Sequence, residues 1–86
     1  MYLTQYRDID DRWRFLGEYQ TRAEAATAAN ASHPSTRIHR INEPYREQFP
    51  NNCPIVEVTG DGDEVGACTY YLKKGVCPRH GEIRKE

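Results

Sequence analysis

No stretch of this 86-residue chain approaches the ~18 consecutive apolar residues of a membrane-spanning helix. The opening run, Met1-Tyr2-Leu3-Thr4-Gln5-Tyr6-Arg7, also lacks the basic-then-apolar pattern of a secretory signal. The expectation is therefore a cytoplasmic protein with no membrane partner, in a compartment that keeps thiols reduced. Large aliphatic side chains are scarce too. Hydrophobic residues make up 37% of the chain, much of it alanine, against 29% charged residues. Six Tyr and one Trp carry much of the remaining apolar area. A chain this short is enough for one domain, 1–86, whose core supplies only a few kcal/mol net. Some further source of stability is expected, such as a disulfide, a metal or a partner.

An excess of charge of either sign is also missing. The formal net charge is −1, from 12 Lys+Arg against 13 Asp+Glu. Residues 1–50 carry seven basic and seven acidic side chains, and residues 51–86 carry five and six. This excludes the broad cationic surface that drives non-specific nucleic-acid binding through counterion release. Lys73, Lys74, Arg79, Arg84 and Lys85 cluster near the end, which reads first as a solvated, charged terminus. Catalytic signatures are absent as well: no serine-nucleophile elbow, no P-loop and no dinucleotide fingerprint. The acidic runs Asp8-Ile9-Asp10-Asp11 and Asp61-Gly62-Asp63-Glu64 do not have calcium-loop spacing and read as turns.

What is present divides the chain in two. Residues 2–7 read as a strand, and residues 12–19 alternate, with Trp13, Phe15 and Tyr19 on one face and Arg12, Arg14 and Glu18 on the other. The acidic turn between them makes a hairpin. Thr21-Arg22-Ala23-Glu24 is a capping box that opens an alanine-rich helix at about 22–32, ended by Pro34. Residues 37–41 add a strand and complete a small ββαβ unit over 1–41. Residues 42–52 form a polar, proline-bounded connection that has room for one helical turn around Tyr45 to Gln48. Beyond it, 54–59 and 65–72 read as a β-hairpin closed by Asp61-Gly62. The predicted fold class is α+β: a ββαβ unit followed by a zinc-stabilised hairpin and knuckle over 53–86.

The chemistry concentrates in that second half, as Cys53-x14-Cys68-x8-Cys77-x2-His80. Three cysteines leave one over in any disulfide scheme, whereas metal ligation has no parity requirement. Two ligands separated by two residues can grip one ion from a single tight turn. Pro78 fixes one backbone angle of that turn, and Gly81 permits a positive φ. Cys77-Pro78-Arg79-His80-Gly81 resembles the Cys-Pro-x-Cys-Gly knuckle of rubredoxin-like and zinc-ribbon proteins, with His as the second ligand. The resemblance covers five residues and implies a turn type. Hairpin arithmetic tests the other two ligands. A two-residue Asp61-Gly62 turn pairs Gly60 with Asp63, Val58 with Val65, Ile55 with Cys68 and Cys53 with Tyr70. Cys53 and Cys68 then emerge on one face as diagonal neighbours.

Cys53, Cys68, Cys77 and His80 are accordingly expected to bind one structural Zn²⁺, since four protein ligands leave no position open for catalysis. A Cys53–Cys68 disulfide, and His33 or His39 as a substitute ligand, are the alternatives. No third group orients Cys77 and His80 as a nucleophile–base pair, so the chain is expected not to be an enzyme. The functional expectation is a protein–protein interaction module of adaptor or inhibitor type. Arg12, Arg14, Tyr70 and Tyr71 are the candidate contact residues, because exposed Tyr and Arg are enriched at binding hot spots. Tyr70 and Tyr71 fall on opposite faces of one strand, so at least one should be exposed. Tyr2, Tyr45 and Phe49 are further patch candidates or packing residues. The alternative is a single-stranded nucleic-acid-binding protein using sheet-face Arg and Tyr.

Overall fold

A computed structural model describes residues 1–32 and 34–84. His33, weighed above as a ligand, and Lys85 of the basic cluster lie outside them. The architecture is α+β with antiparallel sheets throughout. No described helix is long and apolar enough to cross a membrane.

Strand β1 (Tyr2–Arg7) forms the centre of a three-stranded sheet, between β2 (Trp13–Tyr19) and β3 (Thr36–Arg40). Helix α1 (Arg22–Ser32) has the bounds read from its capping box and its proline stop. The Thr21 hydroxyl accepts a hydrogen bond from the Glu24 amide at 3.2 Å. Ala25 and Ala29 are buried where α1 packs on all three strands, since only small side chains allow so close an approach.

One expectation fails inside β2. The register places Phe15 opposite Gln5 but Tyr19 opposite Tyr2, with an irregularity between Thr4 and Gln5. Residues opposite one another share a face, so a bulge at Leu16 moves Phe15 and Tyr19 to opposite sides. Phe15 packs against the main core, and Tyr19 lies beside Ala23 and Thr27 of α1. Simple alternation cannot register an inserted residue.

After β3 the chain enters α2 (Glu43–Gln48), which starts two residues earlier than the expected turn. Asn42 caps it: its side-chain oxygen accepts from the Tyr45 amide at 3.1 Å. The connection then closes onto the second half, through Asn42 N–H to the Pro54 carbonyl at 2.8 Å and Leu72 N–H to the Asn51 carbonyl at 2.8 Å. Strands β4 (Val56–Val58) and β5 (Glu64–Ala67) make the expected hairpin. Short strands β6 (Val76–Cys77) and β7 (Gly81–Glu82) follow.

The hairpin register is right near the cysteines and wrong at the tip. Val56 pairs with Ala67 and Glu57 with Gly66, and the Cys68 and Cys53 amides bond to the Ile55 and Tyr70 carbonyls. At the tip, however, Val58 pairs with Glu64, and Thr59 N–H bonds to the Asp63 carbonyl. The loop therefore spans three residues, and a bulge near Val65 absorbs the offset, helped by the positive φ of Gly66 (111°). The second strand also ends at Ala67 rather than Leu72, because Thr69 takes a left-handed φ of 68°.

Leu3, Ile41, Cys53, Ile55, Leu72, Cys77 and Ile83 form one buried cluster, with Met1, Phe15 and Cys68 against it. This core draws on both halves of the chain. The central sheet thus lies between α1 on one side and the cysteine-bearing segments on the other.

Candidate metal centre

Four segments converge behind the central sheet, each bringing one donor atom. Cys53 precedes β4, Cys68 follows β5, Cys77 ends β6, and His80 closes the turn into β7. Their donor atoms all lie within 4.8 Å of one another. The Cys68 and Cys77 sulfurs are 3.7 Å apart, and His80 Nδ1 is 3.6 Å from the sulfurs of both Cys53 and Cys77. A tetrahedral ion with metal–sulfur bonds of ~2.3 Å and a metal–nitrogen bond of ~2.05 Å requires edges of about 3.8 Å (S···S) and about 3.6 Å (S···N). Three of the six edges, Cys68–Cys77, Cys53–His80 and Cys77–His80, match. A buried Cys3His group of this kind could hold a metal ion. All three cysteines are free, so the disulfide alternative is set aside.

Local backbone geometry prepares each sulfur. The Arg79 amide donates to the Cys77 sulfur at 3.4 Å, as the knuckle-like sequence implies. The Ile55 and Tyr70 amides, two residues on from Cys53 and Cys68, likewise act to lower the pKa of those thiols. Left-handed Thr69 swings the Tyr70 amide toward Cys68, a conformation that costs a β-branched residue some strain. Burial pushes the Cys53 and Cys68 thiols up and Cys77 adds to the effect at both, while the Ile55 and Tyr70 amides work in the opposite direction. Such thiols hold their protons until a cation replaces them. Burial likewise lowers His80, although Glu57 pulls the other way, so the imidazole is in the neutral form a ligand requires.

A second layer positions the knuckle. Gln5 is fully buried in the central strand. Its amide donates to the carbonyls of His80 at 2.9 Å and Glu82 at 2.7 Å. Arg37 donates to the Gln5 oxygen at 2.7 Å and to the His80 carbonyl at 2.6 Å, while its guanidinium lies 4.1 Å over the Trp13 ring. Gly81 (φ 86°) fits against β2 so closely that a Cβ would sit 2.7 Å from the Trp13 carbonyl oxygen. Glu57 Oε1, buried and without a hydrogen bond, lies 3.7 Å from His80 Nε2 and 3.4 Å from Arg79 Nε.

His39 is not among the ligands. Its ring meets that of His80 edge-on at 5.2 Å. Burial, Arg37 and His80 lower its pKa to about 4, so it packs as a neutral ring.

No known protein family, curated protein or solved structure matches this chain. The remaining assignments therefore rest on its own geometry. Arg12 is exposed beside the knuckle. Arg14 is drawn into ion pairs with Asp8 at 3.2 Å and Glu82 at 4.0 Å. Tyr70 and Tyr71 are both exposed, at 50% and 69%, because the strand that would have separated them by face has already ended. Tyr45 and Phe49 stack on each other at 5.0 Å, and Tyr2 pairs between Tyr19 and Arg40 in the sheet. Sequence reading missed Glu57, Gln5 and Arg37. The period-2 rule does place Glu57 on the face of Cys53 and Ile55, which was the available signal. Nothing local marks Gln5, whose partners lie 75 and 77 residues away.

Proposed function

We propose that Cys53, Cys68, Cys77 and His80 hold one structural Zn²⁺, and that the chain is a non-catalytic module, of adaptor or inhibitor type, that binds another protein in a thiol-reducing cytoplasm. The observation that carries the zinc reading is the match of 3.7 Å and 3.6 Å donor separations to the edges of a zinc tetrahedron. Three sulfurs and one imidazole suit a borderline-soft divalent ion better than calcium or magnesium, which prefer oxygen. The bound ion would cross-link four segments of a chain poor in large aliphatic residues, so ligation free energy becomes folding free energy.

Four protein donors leave no coordination position for substrate or water, which supports a structural role. The function then belongs to the surface that the site holds rigid. A nucleic-acid platform on the central sheet is disfavoured by the covering of both its faces. Arg37 is committed to Gln5 and Trp13, Arg14 to Asp8, and Arg40 to Glu64.

Elemental analysis of protein purified without added metal tests the first part, with about one zinc per chain expected. A ratio near zero would sink it. Cross-linking in the source cell, followed by reconstitution with the purified partner, tests the second. Retention on heparin at low salt without any protein partner would reverse the choice in favour of nucleic acid.

A further inference from the structure

One surface patch combines exposed apolar groups with cations that pair with no carboxylate among the described residues. Lys74 (φ 55°) and Gly75 (φ 76°) form a two-residue turn, closed by Lys73 N–H to the Val76 carbonyl at 3.1 Å and the reverse bond at 3.0 Å. Left-handed φ at both central positions matches the type I′ hairpin turn. Alternation on either side then sorts the side chains: Leu72 and Cys77 point into the core, while Tyr71, Lys73, Val76 and Pro78 face solvent. Tyr71, Lys73, Lys74, Val76 and Pro78 line one depression. Val76 and Pro78 also border a second, beside Arg12 and Arg79.

Charge says what would cover this patch. Arg7, Arg14, Arg40, Arg46 and Arg79 each pair with a carboxylate. Lys73, Lys74 and Arg12 make no ion pair to any described residue. These three cations thus surround an apolar ridge whose rear is Cys77 and the knuckle. Resting on the interaction-module reading above, we infer that this ridge docks an extended acidic segment of a partner protein. An aromatic or branched aliphatic side chain would sit against Tyr71, Val76 and Pro78, with Asp or Glu on Lys73, Lys74 and Arg12. Hot-spot energetics favour such an aromatic anchor ringed by charge that steers and orients the partner. A nucleic-acid strand would use the same cations, but the aliphatic ridge gives it only one stacking ring.

The test is a random dodecapeptide display selection on the metal-loaded full chain, followed by NMR mapping and titration of the selected peptides. The expected peptides carry Asp or Glu flanking an aromatic or aliphatic residue and shift the amides of residues 71–79. Joint Lys73→Glu and Lys74→Glu substitution should weaken them about tenfold with unchanged metal content. Tyr71→Ala, at an exposed position, should weaken them without changing the salt dependence. Selected peptides with no acidic excess, or undiminished binding to the double charge reversal, overturn the inference. So does tighter binding of single-stranded oligothymidylate through the same residues. Peptides that bind elsewhere refute this patch and leave the module reading intact, whereas metal-free purified protein refutes the zinc centre itself.

Discussion

The two nitrogens of His80 face different surroundings, and the difference makes Glu57 informative. Nδ1 lies 3.6 Å from two sulfurs, and Nε2 lies 3.7 Å from the buried Oε1 of Glu57. The negative charge there favours a proton on Nε2, the tautomer that leaves Nδ1 free to ligate. Glu57→Gln should therefore lower zinc affinity roughly tenfold with little loss of fold, read by competition against a chelator. Unchanged affinity would show that Glu57 serves only Arg79. Gly81 gives a sharper steric case. Gly81→Ala combines a left-handed φ of 86° with a Cβ 2.7 Å from the Trp13 carbonyl oxygen. A loss of about 3 kcal/mol in denaturant unfolding is expected.

At the scale of elements, the question is what docks the knuckle on the sheet. Two Gln5 hydrogen bonds reach the knuckle, and Arg37 reinforces one of them. Gln5→Leu removes both donors, leaving the His80 carbonyl with Arg37 and taking the side-chain donor from the part-buried Glu82 carbonyl. The expected cost is about 2–4 kcal/mol. Thr21→Ala removes an exposed helix cap and should cost only about 1 kcal/mol. Urea titrations of the two variants compare these directly. Equal losses would show that the docking network adds no more than a surface cap.

For the whole molecule the centre acts as a cross-link between distant segments. Chelation should expose residues 53–84 first, seen as faster amide exchange there than in α1 and the central strands. Uniform protection after chelation would mean the core holds without the ion. Acid should also weaken metal binding. Cys53 and Cys68 have raised thiol pKa values in the ion-free protein, so both are protonated at neutral pH and must lose their protons to bind. Each proton released costs roughly tenfold in affinity per pH unit of acidification, measurable by competition between pH 6 and 8. The ion-free fold has the opposite sign. A raised thiol pKa favours the protonated folded state, so that stability is intact below the unfolded thiol value of ~8.5 and is lost as pH rises beyond it.

How much of this was legible follows from the range of each interaction. Thr21, the alanine run and Pro34 fixed α1, because caps, propensity and proline sterics act within a few residues. The Cys77-x2-His80 spacing and the pairing of Ile55 with Cys68 brought the four ligands together, because hairpin register is a local rule. Tertiary structure alone decided the bulge at Leu16, the three-residue tip at Gly60 to Gly62, and the early end of β5 at Thr69. Each inserts or reverses one residue to satisfy packing or a sulfur from elsewhere. It alone also set Gln5 and Arg37 under the knuckle and left Lys73, Lys74 and Arg12 without an ion pair among the described residues. Those outcomes depend on groups far apart in the chain, and no local pattern encodes them.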